Sequence, residues 1–246
     1  MTWPAGTIDD WHGFRRHVFP FAETTAWVVE PVTAAPGQPW SWCLEFPQFF
    51  TRECAALTLL ERGFHHVYLD LHNNFGSPAA LRVFNAFYDL LTTQGLARRA
   101  ALIAISRGGL SAYRWAAENP AKVAVIYGDA PVCDFKSWPA GKKGNAADWA
   151  LLLHRYEFAS EAEALAYPGN PIDSLAPLAR AGIPLIHVVG DADVVVPVAE
   201  NTAIVAERYR QLGGAITVIH KPGVGHHPHG LTDPTPVADF ICRQVS

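Results

Sequence analysis

The stretch ALIAISRGGL, residues 101–110, decides the fold. Its apolar run stops at Ser106, and Gly108 and Gly109 follow after one further residue. A strand that turns sharply into a helix around an exposed serine needs small residues two positions before and two positions after that serine, because these positions crowd one another across the bend. Ala104 and Gly108 meet this requirement. The stretch therefore predicts a strand–turn–helix unit in which the serine hydroxyl is exposed at the turn and accessible to a ligand.

On both sides of this turn, runs rich in β-forming residues alternate with helical patterns. We predict an antiparallel hairpin at 15–22 and 25–30, then strands at 39–46, 65–71, 101–105, 123–130, 184–192 and 215–221. Helices are predicted at 51–62, 79–92, 108–118, 198–212 and 235–243. Such alternation is typical of a mostly parallel sheet covered by helices on both faces. The predicted fold class is therefore α/β, with three layers, and residues 1–246 are predicted to form a single domain.

One interval interrupts this alternation. Residues 131–175 follow the sixth predicted strand, contain no strong strand pattern, and are rich in aromatic residues, including Trp138 and Trp149. A long excursion between two core strands usually covers or shapes a site. We predict a cap-like insertion over the mouth of the site; the alternative is a helical decoration packed on the core.

The composition excludes several classes of partner. The formal net charge is −4, and no run of Lys or Arg forms a basic stripe, so neither nucleic acid nor an anionic membrane is expected as a partner. No stretch approaches the roughly 18 apolar residues of a membrane span. The start MTWPAGTIDDWHGF lacks the basic and apolar regions of a signal peptide. As the sequence stands we expect a cytoplasmic protein, although a secreted chain whose leader had been removed would look the same.

The four cysteines do not form a recognisable motif. Cys43, Cys54, Cys133 and Cys242 are far apart and contain no C-x-x-C pair, which argues against zinc-ribbon and thioredoxin-like sites. We expect buried thiols rather than a disulfide between Cys43 and Cys54.

Two further turns carry candidate catalytic residues. HVVGDADVVVP, residues 187–197, leaves a predicted strand through Gly190 and presents Asp191 and Asp193. HKPGVGHHPHG, residues 220–230, leaves the last predicted strand and presents His226. A serine hydroxyl is a poor nucleophile without a base, and the base needs an acid to orient it. The three turns together supply a serine, an acid and a histidine in that order.

The segments ISRGGL, GDADVVVP and GVGHHPHG resemble the three active-site turns of the α/β-hydrolase superfamily, in the right order and on the right elements. The SRGGL turn and the preceding PWSW segment are also similar to bacterial carboxylesterases of the carbohydrate-esterase kind. The resemblance implies Ser106 as nucleophile, Asp193 as acid and His226 as base, with no cofactor. Asp191 and Asp129 stay open as alternative acids, the latter because it also follows a strand.

The resemblance also implies an oxyanion hole. One donor is the backbone N–H of Arg107, directly after the serine. The sequence EFPQFF, residues 45–50, stands where related enzymes carry HG or HGGG, so the second donor is Phe46 or Gln48. Pro47 has no N–H and is excluded.

His227 and His229 are expected in the pocket wall or behind the base. With His226 they form an HHxH pattern, but it lacks helical i, i+4 spacing and a paired carboxylate motif, so we expect no metal site.

The implied function is cleavage of a carboxylic ester through an acyl-enzyme, with a small-molecule ester as partner. Trp40, Trp42, Trp138 and Trp149 lie in segments that could line the site, and aromatic faces suit an ester on a sugar or aryl group. The Arg107 guanidinium either binds a substrate carboxylate or is paired beneath the loop. The alternatives are a lyase or acyltransferase with the same three residues, or a non-catalytic binding protein of this fold.

Overall fold

A computed structural model describes residues 1–245 of the chain and contains one nine-stranded sheet with the order β1-β2-β3-β5-β4-β6-β7-β8-β9. β1 to β3 form an antiparallel meander, β3 pairs antiparallel with β5, and all other pairs are parallel. The predicted mostly parallel sheet with an antiparallel start is confirmed. The strands, from β1 to β9, are Thr7–Trp11, Phe14–Phe21, Thr24–Glu30, Trp40–Cys43, His65–Leu69, Ala100–Ile105, Val123–Asp129, Leu185–Gly190 and Ile216–Lys221.

Eight α-helices within residues 1–245 accompany this sheet. They are, from α1 to α8, Ala56–Glu61, Pro78–Thr93, Gly108–Glu118, Ala146–Tyr156, Glu161–Leu165, Ala176–Arg180, Thr202–Gln211 and Thr235–Val245. None of them combines the length and the apolar character needed to cross a membrane.

The central strands read as continuous apolar runs because both of their faces are covered. In β6, Leu102 packs into the core layer that contains residues of α2, α3, α6 and α7. Its neighbours Ala101 and Ile103 point the opposite way, into the layer that contains residues of α1 and α8. Successive strand side chains alternate between faces, so this pattern places helices on both sides of the sheet and gives the three layers expected.

One strand was missed, and two helices begin later than predicted. β1 was not predicted, because four of its five residues are exposed at the sheet edge and it carries two aspartates. α1 begins at Ala56 rather than residue 51, since Ala55 adopts a left-handed conformation with φ of 66°. α7 begins at Thr202 rather than 198, because Asn201 leaves the helical region and its side-chain oxygen accepts the Cys133 N–H at 2.8 Å.

Residues 131–175 fold into α4, α5 and connecting turns around an aromatic cluster. Phe135 is fully buried there and stacks on Tyr167, with ring centroids 5.5 Å apart. The same cluster includes Leu110 of α3, and Trp149 packs against Phe135 at 6.0 Å. The segment thus has a small core of its own next to α3. Its cap-like role stays a prediction.

Trp40 and Trp42 do not line a site, contrary to what the sequence suggested. Both are completely buried in β4, where Trp42 packs against Phe84 of α2 and Trp115 of α3. The density of tryptophan in this strand therefore serves the core. Cys43 and Cys54 are buried thiols, as expected.

Candidate active site

The turn between β6 and α3 holds Ser106 in a strained backbone conformation. Its φ is 49°, a left-handed value that non-glycine residues rarely adopt. Ser106 N–H donates to the Asp129 carbonyl (2.9 Å), and the Ser106 carbonyl accepts from the N–H groups of Gly109 (3.0 Å) and Val132 (2.8 Å). These bonds to β7 and the loop after it offset the strain and fix the serine at the start of α3.

The two glycines of this turn allow close approach on both sides. A Cβ on Gly109 would lie 2.9 Å from Pro131 Cβ, and it would clash with the Val132 backbone. A Cβ on Gly108 would lie 3.1 Å from Glu45 Cβ. The Gly-Gly pair therefore lets α3 begin against the loop after β7 and the loop after β4.

Ser106, His226 and Asp193 form one chain of hydrogen-bonding contacts. Ser106 Oγ lies 3.0 Å from His226 Nε2, and His226 Nδ1 lies 2.7 Å from Asp193 Oδ2. When the imidazole carries its proton on Nδ1, next to the carboxylate, Nε2 can accept the proton of the serine hydroxyl. The structure thus brings together the serine, acid and histidine that the sequence singled out, and their roles stay predictions.

The loop after β8 holds the Asp193 carboxylate in place. Asp193 Oδ1 accepts the N–H groups of Val195 (2.8 Å) and Val196 (2.9 Å), and Val196 is buried. The loop is also tied to residues 222–230 after β9, called the histidine loop below, because Ala192 N–H donates to the Val224 carbonyl at 2.9 Å. One carboxylate oxygen is therefore committed to the backbone, which leaves the other for the imidazole.

A glycine allows these two loops to touch. Gly190 ends β8, and a Cβ there would clash with the carbonyl groups of Val224 and Gly225. Any larger side chain at this position would push the loop that carries His226 away from Asp193.

The protonation state of Asp193 suits this arrangement. Burial alone would raise the pKa of Asp193, but the hydrogen bonds from His226, Val196 and Val195 outweigh burial and hold that pKa below its ordinary value. The carboxylate is therefore ionised at neutral pH, the state that accepts the imidazole Nδ1–H.

The two alternative acids have other partners. Asp191 lies 2.6 Å from His220 Nδ1, and both side chains are exposed. Asp129 lies 2.6 Å from His229 Nδ1, and both side chains are buried. The geometry therefore favours Asp193 as the partner of His226.

The Asp129 pair is a second histidine–carboxylate unit next to the first. The second Asp129 oxygen accepts the Tyr127 hydroxyl (2.7 Å) and the Gly230 N–H (2.8 Å). The His229 and His226 rings meet edge to face with centroids 4.8 Å apart. Asp129 thereby fixes the far end of the histidine loop.

Arg107 directs its guanidinium to Glu45, on the loop after β4. Its Nε and Nη2 lie 2.9 and 2.7 Å from Glu45 Oε1, and both side chains are largely buried. Burial raises the pKa of Glu45, even though the guanidinium opposes that shift. The Arg107 guanidinium is thus paired with a carboxylate of the protein, the second of the two possibilities that the sequence left open, and does not point into the cavity as a free substrate-binding group.

The same guanidinium lies over the Phe46 ring, 4.8 Å from its centroid. Phe46 has a left-handed φ of 59°, and its carbonyl accepts the Phe49 N–H at 3.1 Å. Gln48, the other candidate oxyanion donor, accepts the Trp11 indole N–H through its side chain at 2.9 Å. Phe46 therefore belongs to a tight turn held beside the serine.

A cavity of about 260 Å³ opens at Ser106. Its walls are aromatic and aliphatic side chains together with three imidazoles, from Phe46, Phe49, Phe50, Ile105, His226, His227 and His229. Although His227 is exposed, partial desolvation by the pocket wall, together with the neighbouring His229 and His226, lowers its pKa below the ordinary value, so its imidazole is neutral at pH 7.

Phe46 was predicted from the sequence as an oxyanion donor, but Phe49 and Phe50 were not predicted as residues of this wall. Phe49 is 61% exposed at the mouth, and Phe50 stacks on His227 with ring centroids 6.0 Å apart. The available signal was the run EFPQFF directly after β4, whose three aromatic residues in five positions are unusual for a surface turn.

No family model and no curated protein matches this sequence. Solved structures do match. An S-formylglutathione hydrolase from Agrobacterium tumefaciens aligns with a TM-score of 0.68 and 16% identity, over 97% of this chain and 97% of that one. A truncated carbohydrate esterase from gut microbiota aligns with a TM-score of 0.67 and 17% identity, over 89% of this chain and 90% of that one. Dipeptidyl peptidase 4 from Porphyromonas gingivalis aligns with a TM-score of 0.66 and 15% identity, over 94% of this chain but only 35% of that one.

The chain has the α/β-hydrolase fold. This α/β-hydrolase fold places the ends of β6, β7, β8 and β9 at one edge of the sheet, and Ser106, Asp129, Asp193 and His226 lie there. The fold expected from the three active-site turns is confirmed.

Proposed function

We propose that this protein is a serine hydrolase that cleaves a carboxylic ester through an acyl-enzyme on Ser106. The observation that carries the proposal is the continuous contact from Asp193 to His226 to Ser106, at 2.7 and 3.0 Å. A non-catalytic protein of this fold has no need to keep all three groups in hydrogen-bonding register around a strained serine.

The mechanism follows from these contacts. Ser106 Oγ attacks the ester carbonyl while His226 Nε2 takes the hydroxyl proton, and the ionised Asp193 stabilises the imidazolium that results. His226 then gives its proton to the departing alcohol, which leaves the acyl group on the serine. Water, deprotonated by the same imidazole, then attacks the acyl carbon; the bond from this carbon to Ser106 Oγ breaks, and the imidazolium returns its proton to Oγ as the acid leaves.

The developing oxyanion is assigned to two backbone donors. Arg107 N–H directly follows the nucleophile at the start of α3, where the helix dipole also favours negative charge. Phe46 N–H is the second donor, and the Glu45–Arg107 ion pair supports its position by tying the loop after β4 to the serine turn.

The pocket supports a short acyl or aryl ester as substrate. A cavity of about 260 Å³ with apolar walls suits a small group, and the exposed Phe49 ring offers a face to an aryl or sugar unit outside it. The carbohydrate esterase among the structural neighbours is in keeping with a sugar ester. The aromatic lining that we predicted from tryptophans is supplied in this cavity by Phe46, Phe49 and Phe50.

The test is turnover of p-nitrophenyl esters from acetate to palmitate, with Ser106→Ala as the inactive control. We expect the highest kcat/KM for short acyl chains and a loss in Ser106→Ala of at least about 10⁴-fold in kcat. Labelling with a fluorophosphonate should add one group per chain, located on Ser106 by peptide mass spectrometry.

Two outcomes would contradict the proposal. If Ser106→Ala keeps more than about a hundredth of the wild-type kcat, the acyl-enzyme on this serine is wrong. If product appears only after an acceptor alcohol is added, the protein is an acyltransferase with the same three residues.

A further inference from the structure

The histidine loop contains more imidazole than ester hydrolysis requires. One ring nitrogen from each of His226, His227 and His229 lies within 4.8 Å of the other two. The three rings meet pairwise with centroids 4.8 to 5.0 Å apart. Of these side chains, the proposed reaction uses His226, which leaves two imidazoles in the same cavity wall to be explained.

Two of the three rings are already oriented as metal ligands usually are. His226 Nδ1 lies 2.7 Å from Asp193, and His229 Nδ1 lies 2.6 Å from Asp129. A ligating histidine commonly donates one ring N–H to a carboxylate, which fixes the tautomer and leaves the other nitrogen to the metal. The sequence pattern argued against a metal for want of paired carboxylates, but these carboxylates follow β8 and β7.

We propose that His226, His227 and His229 bind one divalent ion of the zinc class, and that this ion inhibits the enzyme by occupying His226 Nε2. The inhibition rests on the proposed function, whereas the binding does not. The ion takes the Nε2 lone pair that otherwise accepts the Ser106 hydroxyl, so Ser106 keeps its proton. The Nδ1 atoms of His226 and His229 keep their contacts with Asp193 and Asp129.

The geometry requires only small movements. The three ring nitrogens lie within 4.8 Å of one another, whereas Zn–N bonds of about 2.0–2.1 Å in a tetrahedral site place nitrogens about 3.3 Å apart, so each nitrogen must move toward the centre by about 0.9 Å at most. His227 is the most exposed of the three residues and has the most room to move, but His226 and His229, which each contact a carboxylate, must shift as well. The ionised Asp193 carboxylate contacts His226 Nδ1, on the side of the ring away from the ion, and its negative charge attracts a cation to the site.

The donor set selects the kind of ion. Imidazole nitrogens suit zinc, copper and nickel, whereas magnesium and calcium prefer oxygen ligands. Zn²⁺ is therefore the probe, and Mg²⁺ is the matched negative control.

Binding is measured on Ser106→Ala, which keeps all three imidazoles and makes the readout independent of activity. Competition against a chromophoric zinc chelator should give one Zn²⁺ per chain and no effect of Mg²⁺. Adding His227→Ala should weaken zinc binding at least tenfold. Adding His220→Asn, which removes an exposed histidine paired with Asp191, should leave zinc binding unchanged.

Inhibition is measured on the wild type with p-nitrophenyl acetate. Zn²⁺ should abolish turnover reversibly, with recovery on adding EDTA. With each protein's rate expressed as a fraction of its own metal-free rate, the half-inhibitory Zn²⁺ concentration should be at least tenfold higher for His227→Ala than for the wild type.

The possible results separate the two proposals. Zinc binding that does not depend on His227 overturns the site, and zinc that binds without inhibiting or that activates turnover overturns the role of His226. If the metal-free wild type has no esterase activity but Ser106→Ala binds zinc as described, the metal site stands and the proposed function fails.

Discussion

Replacing Asp193 with asparagine tests the assignment of the acid most sharply, because it changes charge and proton while keeping shape. In the wild type, Asp193 Oδ1 accepts two backbone N–H groups, from Val195 and Val196, and Oδ2 faces His226 Nδ1. An asparagine keeps its oxygen on the two backbone donors and must then turn its NH₂ toward the imidazole. His226 Nδ1 becomes an acceptor, so the ring proton moves to Nε2 and faces Ser106.

The size of the effect follows from this tautomer. An imidazole with its proton on Nε2 cannot accept the serine proton, and the comparable exchange in serine proteases costs about 10⁴-fold in kcat. This corresponds to about 5.4 kcal/mol in the activation free energy. Because the backbone bonds of the loop are retained, we expect the free energy of unfolding to change far less.

The assay compares kcat for p-nitrophenyl acetate in Asp193→Asn and Asp191→Asn, with unfolding by urea measured for both. Asp191 is the matched control, since it pairs with His220 on the surface two residues away along the chain. We expect Asp191→Asn to retain most of the activity. The reasoning is refuted if Asp193→Asn keeps more than about a tenth of the wild-type kcat, or if Asp191→Asn is the variant that loses it.

Three further predictions concern the Ser106 turn, the hydrophobic core and the pH dependence of stability. Gly109→Ala should destabilise the fold and reduce kcat, because its Cβ has no room, whereas Gly225→Ala, whose nearest neighbour would be 3.9 Å away, should be tolerated; equal melting temperatures would contradict this. Trp42→Ala should lower the free energy of unfolding in urea by about 3–5 kcal/mol, and a loss below about 1 kcal/mol would mean that the core adapts. Burial lowers the pKa of His66 and His187 to about 3, so below pH 6.5 the unfolded chain binds protons that the folded chain excludes. Between pH 6.5 and 3, each of these two histidines should therefore lower the free energy of unfolding by up to about 1.4 kcal/mol for every pH unit of acidification. Equal urea midpoints at pH 7 and pH 5 would contradict this.

The parts of the fold that the sequence predicts are those with strong local signals. β6, the Ser106 turn and α3 fall where the apolar run and the two glycines place them. The turns that carry Asp193 and His226 are equally visible, because each leaves a strand through glycine. In all three cases the signal lies within about ten residues of the chain.

The parts that the sequence does not predict depend on distant partners. The Glu45–Arg107 pair joins residues 62 positions apart, and the Asp129–His229 pair joins residues 100 positions apart. The local sequence singles out Asp129 and His229 as site candidates, but it does not indicate that they pair with each other, nor that Glu45 pairs with Arg107. Trp42 was misplaced for a related reason, since a residue type alone does not say which side of a strand faces a pocket.

Asp129 has a consequence for transplanting parts of this molecule. Its backbone carbonyl holds Ser106 and its carboxylate holds His229 and Gly230, so one residue at the end of β7 is joined to both the nucleophile turn and the histidine loop. Residues 222–230 are therefore not an exchangeable module. A chimera that received this loop from another hydrolase would need a compatible residue at position 129 as well, and a library that varies the loop should vary that position with it.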